Sequence, residues 1–182
     1  MRGLPADIEA RKGRWRALMR PGAGPGFVFQ IDVAEPPPPA PPPLTRANAA
    51  ARVEWAWRLY QHQCRQAALV ADDRLPFLTN VTGTEIFAEA FGCRVHHPPG
   101  SNPCAVPLVR TPAEADRLRV PDLSTSSLAY LFAIADELRR RGGPDCLMKP
   151  VDTQTPMDIA AQIWDKTEFL AAISHELRTP LT

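Results

Sequence analysis

Three carboxylates in this sequence could act on a substrate. Asp72, Asp73 and Asp152 each lie near the end of a predicted strand, where a carboxylate could orient a substrate nitrogen or a zinc-bound thiolate. Aspartate is also common at helix N-caps and in solvent, and we favour that simpler interpretation for all three. Burial and hydrogen bonding distinguish the two interpretations.

Histidines offer two further possibilities. His96 and His97 could bind a metal ion, but adjacent residues of an extended chain point in opposite directions. We therefore expect an exposed loop pair and predict no metal site. His175 is followed directly by Glu176, and an accessible imidazole beside an acid can act as a nucleophile.

Composition and net charge indicate what kind of protein this is and which partners are not expected. The chain has 182 residues, 45% of them hydrophobic, which is enough for an ordinary domain with a core. Its formal charge of +1 provides no field that would attract nucleic acid or a membrane surface. The four cysteines form no Cys-x-x-Cys pair, so we expect free thiols and a cytoplasmic protein. No stretch reaches the ~20 apolar residues of a membrane helix, so no membrane segment is predicted.

Sequence periodicity predicts helices and strands in alternation. Helices are expected over residues 6–20, 46–71, 85–91, from 111, 126–141 and 157–164, and strands over 27–33, 75–80 and 146–151. Seven prolines at 35–44 predict an extended connection over the surface of one domain rather than an SH3-type ligand. Alternation favours a parallel sheet or barrel with helices outside, and we expect the three strands to lie parallel in one curved sheet.

Three stretches of the sequence have a family likeness. They are DDRLPFL at residues 72–78, GTEIFAEAFGC at 83–93 and DTQTPMDIAA at 152–161. Together they resemble the uroporphyrinogen decarboxylase superfamily, especially its decarboxylase-like members and its corrinoid-dependent methyltransferases, over about residues 10–172. The resemblance implies a TIM-type barrel, a fold of about 250 residues, of which this chain would supply about half.

The same resemblance implies decarboxylation of a tetrapyrrole or corrinoid-linked methyl transfer. True decarboxylases of the family receive substrate carboxylates on an Arg-Gln-Ala-Gly-Arg motif, which the pattern of Arg14, Arg16 and Arg20 does not reproduce. The zinc ligands of the methyltransferases come largely from the half that is missing, so zinc or a corrinoid is expected only with that half. We expect this chain alone not to decarboxylate uroporphyrinogen.

The C-terminal residues contain the most specific motif in the sequence. Residues 174–181 are SHELRTPL, which closely resembles the H-box of the histidine-kinase dimerisation and phosphoacceptor domain. In that family the histidine takes the γ-phosphate of ATP, the next acid helps to deprotonate the ring, and the threonine four residues on serves dephosphorylation. By motif match these roles fall to His175, Glu176 and Thr179.

Helical geometry adds to this resemblance. Phe169, Leu170, Ile173 and Leu177 fall on one stripe of a helix, and His175 lies near the opposite side, which predicts an exposed imidazole. The resemblance implies a homodimer through this helix and a response regulator as partner. No glycine-rich phosphate loop is present, and ATP would bind only through an absent kinase domain, so we expect no acid-labile label from ATP and the chain alone.

The two resemblances meet at residues 166–173, which fit either family. We therefore predict an α/β partial TIM-type barrel with N-terminal helices over residues 1–165, followed at 166–182 by the start of a kinase helix. By coverage the decarboxylase-like interpretation ranks first, with a sensor histidine kinase as the alternative.

Overall fold

The computed structural model describes residues 7–22, 24, 26–36, 38–80, 82–99 and 101–178, with side chains described as far as Ser174. The fold is mixed α/β, as predicted. The described residues divide into two compact units: unit 1 runs to Asn80 and adds Ile134–Pro150, and unit 2 comprises Val81–Ala133 and the residues from Val151. Among the described residues, none of the helices combines the length and apolar character needed to cross a membrane.

The elements follow one another along the chain with short connections. The helices are α1 (Ile8–Leu18), α2 (Ala49–Leu69), α3 (Ile86–Ala90), α4 (Pro112–Ala115), α5 (Leu128–Gly142), α6 (Pro156–Ile163) and α7 (Lys166–Arg178), and a 3-10 turn (Arg46–Asn48) precedes α2. The strands are β1 (Phe77–Leu78), β2 (Arg94–His96), β3 (Cys104–Val106) and β4 (Leu147–Met148).

In unit 1, β1 and β4 pair in parallel. Phe77 lies opposite Leu147 and Leu78 opposite Met148, and the backbone N–H of Lys149 donates to the carbonyl of Leu78 at 2.8 Å. This confirms the parallel arrangement predicted for residues 75–80 and 146–151. The barrel itself stays a prediction.

The predicted strand at 27–33 is wrong, because these residues form no strand. The backbone N–H groups of Phe29 and Ile31 donate instead to the carboxylates of Asp73 and Asp72, at 3.0 and 2.8 Å. Side-chain acceptors thus take the donors that a neighbouring strand would have used. The expected three-stranded parallel sheet is therefore not formed in the described residues.

The proline tract runs along unit 1 as an extended connection. The indole N–H of Trp55 donates to the carbonyl of Pro39 at 2.6 Å, and the Asn48 amide donates to the carbonyl of Pro43 at 3.1 Å. Leu44, at its end, is buried. These contacts support the prediction of a surface connection within one domain.

Gly142 lies where unit 1 is tightly packed. A Cβ at this position would come within 2.7 Å of Leu78 Cδ1 and 2.9 Å of Cys146 Sγ. We expect Gly142→Ala to lower the free energy of unfolding by roughly 1–3 kcal/mol, since overpacking forces its neighbours to shift. Urea unfolding measures this. Gly13→Ala is the control, because a Cβ in α1 meets nothing within 4 Å and should stabilise slightly. Equal or greater stability of Gly142→Ala would contradict the packing.

In unit 2, β2 and β3 form an antiparallel pair within a stretch for which we predicted neither helix nor strand. Val95 lies opposite Ala105, with Arg94 opposite Val106 and His96 opposite Cys104. The prolines around these short strands obscured the alternation, because proline is a signal against strand. The hairpin packs beside a small buried core formed by Ala88, Cys93, Val109 and Ile163.

Two helices of unit 2 begin with a capping box. Thr111 caps α4, its hydroxyl accepting from the N–H of Glu114 while the Glu114 carboxylate accepts from Thr111 N–H, which confirms the predicted start of a helix at residue 111. Thr155 and Asp158 make the same arrangement at the start of α6. The proline that follows each cap suits the first helical position, because its missing N–H would have no partner there.

Candidate functional site

Asp72 is buried in unit 1, in the connection between α2 and β1. Its Oδ1 accepts hydrogen bonds from Arg11 Nη1 at 3.1 Å and from the backbone N–H of Arg74 at 2.9 Å. Its Oδ2 accepts from the N–H of Ile31 at 2.8 Å. The expectation that Asp72 caps a helix or faces solvent is wrong, because the folded chain surrounds it with donors.

Arg11 is the buried partner of Asp72, and its guanidinium is fully used. The five N–H donors of an arginine are matched by five hydrogen bonds. Besides Asp72, the acceptors are the carboxylate of Asp7 and the backbone carbonyls of Ala67, Val70 and Arg74. Arg11 therefore ties α1 to the end of α2 and to the entry of β1, which is a structural role.

Asp73 is also buried and paired. It accepts from Nε of Arg14 and, at 3.0 Å, from the N–H of Phe29, while its carbonyl accepts from the indole of Trp15 at 2.7 Å. The Phe29 N–H and then the Arg14 guanidinium hold the pKa of Asp73 below its ordinary value. Asp73, Asp72 and Arg14 line a cavity of about 430 Å³, but these charges are already paired within the protein.

The third predicted carboxylate and the histidine pair lie in unit 2. Asp152 is exposed and accepts from the amide of Gln154 at 3.3 Å, as its expected solvent position implies. His96 and His97 are also exposed, although His96 ends a strand rather than lying in a loop. In the part of the chain that the structure describes, no three His, Cys, Asp or Glu side chains are grouped as a metal site requires.

Glu85 and Glu89 form an acidic site in unit 2 that sequence reasoning missed. Glu85 is only 4% exposed, and its Oε2 has no hydrogen-bond partner among the described residues. Its carboxylate lies over Gly83, where any Cβ would overlap it. The hydroxyl of Tyr130 donates to Glu89 Oε2 at 3.5 Å. The spacing of four residues was visible in the sequence, but the burial was not.

The environment of Glu89 favours its protonated form. Burial raises the pKa of Glu89, and the carboxylate of Glu85 raises it further, while the nearby hydroxyl groups of Ser127 and Tyr130 lower it. A carboxyl group with a raised pKa keeps its proton to a higher pH than an isolated glutamate does. Glu89 can therefore serve as a proton donor.

We expect Glu85→Gln to lower the pKa of Glu89, because the substitution removes a nearby negative charge and keeps the shape that packs on Gly83. A pH titration of the Glu89 carboxyl carbon by NMR measures this. Glu168→Gln, on an exposed position of α7, should leave the titration unchanged. A Glu89 pKa that stays equal or rises in Glu85→Gln would show that the two carboxylates do not interact.

The tail forms the helix α7. The backbone of His175 and Glu176 lies inside it, their side chains are not among the described ones, and Thr179 lies outside the described residues. Phe169 is buried, whereas Leu170 is 61% exposed, so the predicted apolar stripe is only partly covered. The predicted helix over the start of the H-box is confirmed, and the roles of its residues stay predictions.

Comparison with protein-family models, with curated proteins and with solved structures gave no match to this chain.

Proposed function

We propose that this chain is a signalling segment in which α7 presents a phosphoacceptor histidine, His175. The observation that supports this most strongly is the coincidence of motif and element: the SHELRTPL stretch begins inside the continuous helix Lys166–Arg178. Phosphoryl transfer depends mainly on positioning, and a helix holds an imidazole in a defined direction.

Hydrogen bonds and ring packing hold the N-terminal turn of α7 in unit 2. Asp165 caps the helix, its Oδ1 accepting from the N–H of Thr167 at 3.1 Å, and its carbonyl accepts from the N–H of Phe169 at 2.8 Å. The ring of Phe169 packs on that of Trp164, with centroids 5.8 Å apart. The exposed Leu170 supports pairing with a second helix, as in a helical dimer.

In the proposed reaction, the γ-phosphoryl group of ATP is transferred to His175. A ring nitrogen of His175 forms a bond to the γ-phosphorus of ATP, the bond from that phosphorus to the bridging oxygen breaks, and ADP leaves. The proton displaced from the ring passes to Glu176, which the motif places next to it. ATP and the residues that bind it are supplied by a separate kinase domain in this proposal.

The test supplies that domain. The 182-residue chain is incubated with labelled ATP and the isolated ATP-binding domain of a histidine kinase that phosphorylates its own phosphoacceptor helix in a parallel reaction. We expect phosphate on this chain that is lost in acid and kept in alkali, and none with ATP alone. A chain that stays unlabelled while the parallel reaction succeeds would overturn the proposal.

A second candidate, barrel-type decarboxylation, is favoured by the parallel β1–β4 pair and by the buried Glu85 and half-buried Glu89 in the family-like stretch 83–93. Loss of carbon dioxide leaves a carbon that must be protonated, and Glu89 with its raised pKa could supply that proton. This candidate predicts coproporphyrinogen from uroporphyrinogen. The signalling proposal predicts none, and the full use of Asp72 and Asp73 in protein hydrogen bonds supports that expectation.

A further inference from the structure

The chain between α1 and the proline tract lies at the surface of unit 1 with one edge hydrogen-bonded. The backbone N–H and C=O groups of Phe29 both bond to Asp73, at 3.0 and 2.9 Å. Those of Ile31, two positions on, bond to the carboxylate of Asp72 at 2.8 Å and to the guanidinium of Arg74 at 2.7 Å. Backbone groups that face the same side at every second residue are the pattern of an extended strand.

The opposite edge of this segment is open. By the same alternation, the backbone N–H and C=O groups of Val28, Gln30 and Asp32 point away from Asp72 and Asp73. None of these backbone groups bonds to any residue that the structure describes. Gln30 and Asp32 are both exposed, so a partner can approach this edge. An exposed edge of this kind is a template for pairing with another extended chain.

One face of the segment carries a row of apolar side chains. Phe27, Phe29 and Ile31 are 83%, 46% and 47% exposed, and the half-buried Val33 continues the row. The rings of Phe27 and Phe29 have centroids 6.5 Å apart, as expected for side chains on the same face of an extended chain. Contiguous exposed apolar side chains mark a contact site. The segment therefore offers both backbone hydrogen bonds and apolar area to a partner strand.

The open edge is complementary to a second copy of itself. When two copies lie antiparallel around a twofold axis at Gln30, Val28 of each copy lies opposite Asp32 of the other. Every open N–H group then meets an open carbonyl, because all three residues turn the same edge outward.

The side chains favour the same register. It puts Phe29 opposite Ile31 of the second copy, and Phe27 opposite Val33. Each cross-strand pair on the apolar face then joins two apolar residues, and such pairs are the unit by which sheets are stabilised.

Charge does not oppose this pairing. Asp32 is the only charged residue between Phe27 and Val33, and it already pairs with Arg74 at 2.8 Å. In this register the two copies of Asp32 are roughly 14 Å apart along the strands. That distance exceeds the Debye length of about 8 Å at physiological ionic strength, so their repulsion is screened.

We propose that residues 28–32 form the contact of a twofold dimer, in which this segment of each copy pairs as a strand with that of the other. The β-favouring sequence of residues 27–33 then forms its strand between two chains rather than within one. The dimer goes beyond the phosphoacceptor function proposed above and does not depend on it.

Sedimentation velocity of the 182-residue chain tests this contact. Every chain carries Leu170→Glu, so that pairing through the exposed Leu170 of α7 does not contribute. We expect a dimer that forms as the concentration rises. Gln30→Pro should weaken it at least tenfold, because proline lacks the N–H at the centre of the contact, and Gln30→Ala, which keeps that N–H, should leave it unchanged.

Far-ultraviolet circular dichroism establishes that each variant is folded. A chain that stays monomeric at every concentration up to about 100 μM would overturn the proposal. A dimer that is equally stable in Gln30→Pro and Gln30→Ala would place the contact elsewhere and overturn it as well.

Cross-linking tests the register and needs no proline. In a Cys104→Ser background, which removes the exposed native thiol, diamide is added to Gln30→Cys and separately to Phe27→Cys. In the dimer the Cα atoms at position 30 are about 5.5 Å apart, within reach of a disulfide. Those at position 27 are roughly 20 Å apart along the strands.

We expect disulfide-linked dimers to form at least tenfold faster in Gln30→Cys than in Phe27→Cys. Equal rates in the two variants would refute the register and overturn the proposal. A chain that forms this dimer but accepts no phosphate would refute the proposed function and leave the dimer contact standing.

Discussion

Replacement of Asp72 by alanine is expected to lower the free energy of unfolding by roughly 3–5 kcal/mol, because it leaves the buried guanidinium of Arg11 without its buried counter-charge. The backbone N–H groups of Ile31 and Arg74 would lose their acceptors at the same time. Urea unfolding at pH 7, followed by circular dichroism, measures the change.

Asp32→Ala is the matched control. Asp32 forms an ion pair with Arg74, which also lies beside Asp72. The Oδ1 of Asp32 is 2.8 Å from Nη2 of Arg74, but the Asp32 side chain is 98% exposed. An exposed ion pair contributes at most about 1 kcal/mol. Equal losses in the two variants would show that Asp72 is not the buried centre of this cluster.

The same carboxylate predicts how stability depends on pH. Burial alone would raise the pKa of Asp72, but the N–H groups of Ile31 and Arg74 and the charges of Arg11 and Arg74 outweigh it and lower the pKa. An acid with a lowered folded pKa stabilises fully above its ordinary pKa of about 4, and that contribution is lost as the pH falls through the lowered value. The difference in stability between the native chain and Asp72→Ala should therefore shrink below pH ~4.

Local features of this fold were predictable from sequence, and long-range ones were not. The helices α1, α2 and α5 follow from apolar periodicity, and the start of α4 follows from Thr111 and Pro112. The burial of Asp72 depends on Arg11, 61 positions away, and no local pattern records such a partner. The same long-range pairing removed the predicted strand at 27–33.

The candidate sites divide in the same way. The H-box is a contiguous motif, so sequence alone made His175 a candidate and predicted the helix that contains it. Glu85 and Glu89 are ordinary helix residues by composition, and only packing over Gly83 and against Tyr130 distinguishes them.

Replacement of His175 by glutamine is expected to abolish phosphate acceptance, with at least a hundredfold loss of label, because no other group can replace the attacking nitrogen. The chain has four histidines, so the control must show that the loss is specific. His96→Gln removes an exposed histidine of unit 2 and should leave the label unchanged. Comparable losses in both variants would indicate an unspecific reaction.

The most direct test of the signalling proposal is to determine which residue carries the phosphate. After labelling by the separate kinase domain, the chain is digested at alkaline pH and its phosphopeptides are sequenced by mass spectrometry. The signalling proposal predicts phosphohistidine at His175 and at no other histidine. Phosphate on His62, His96 or His97, or label that survives in His175→Gln, would contradict it.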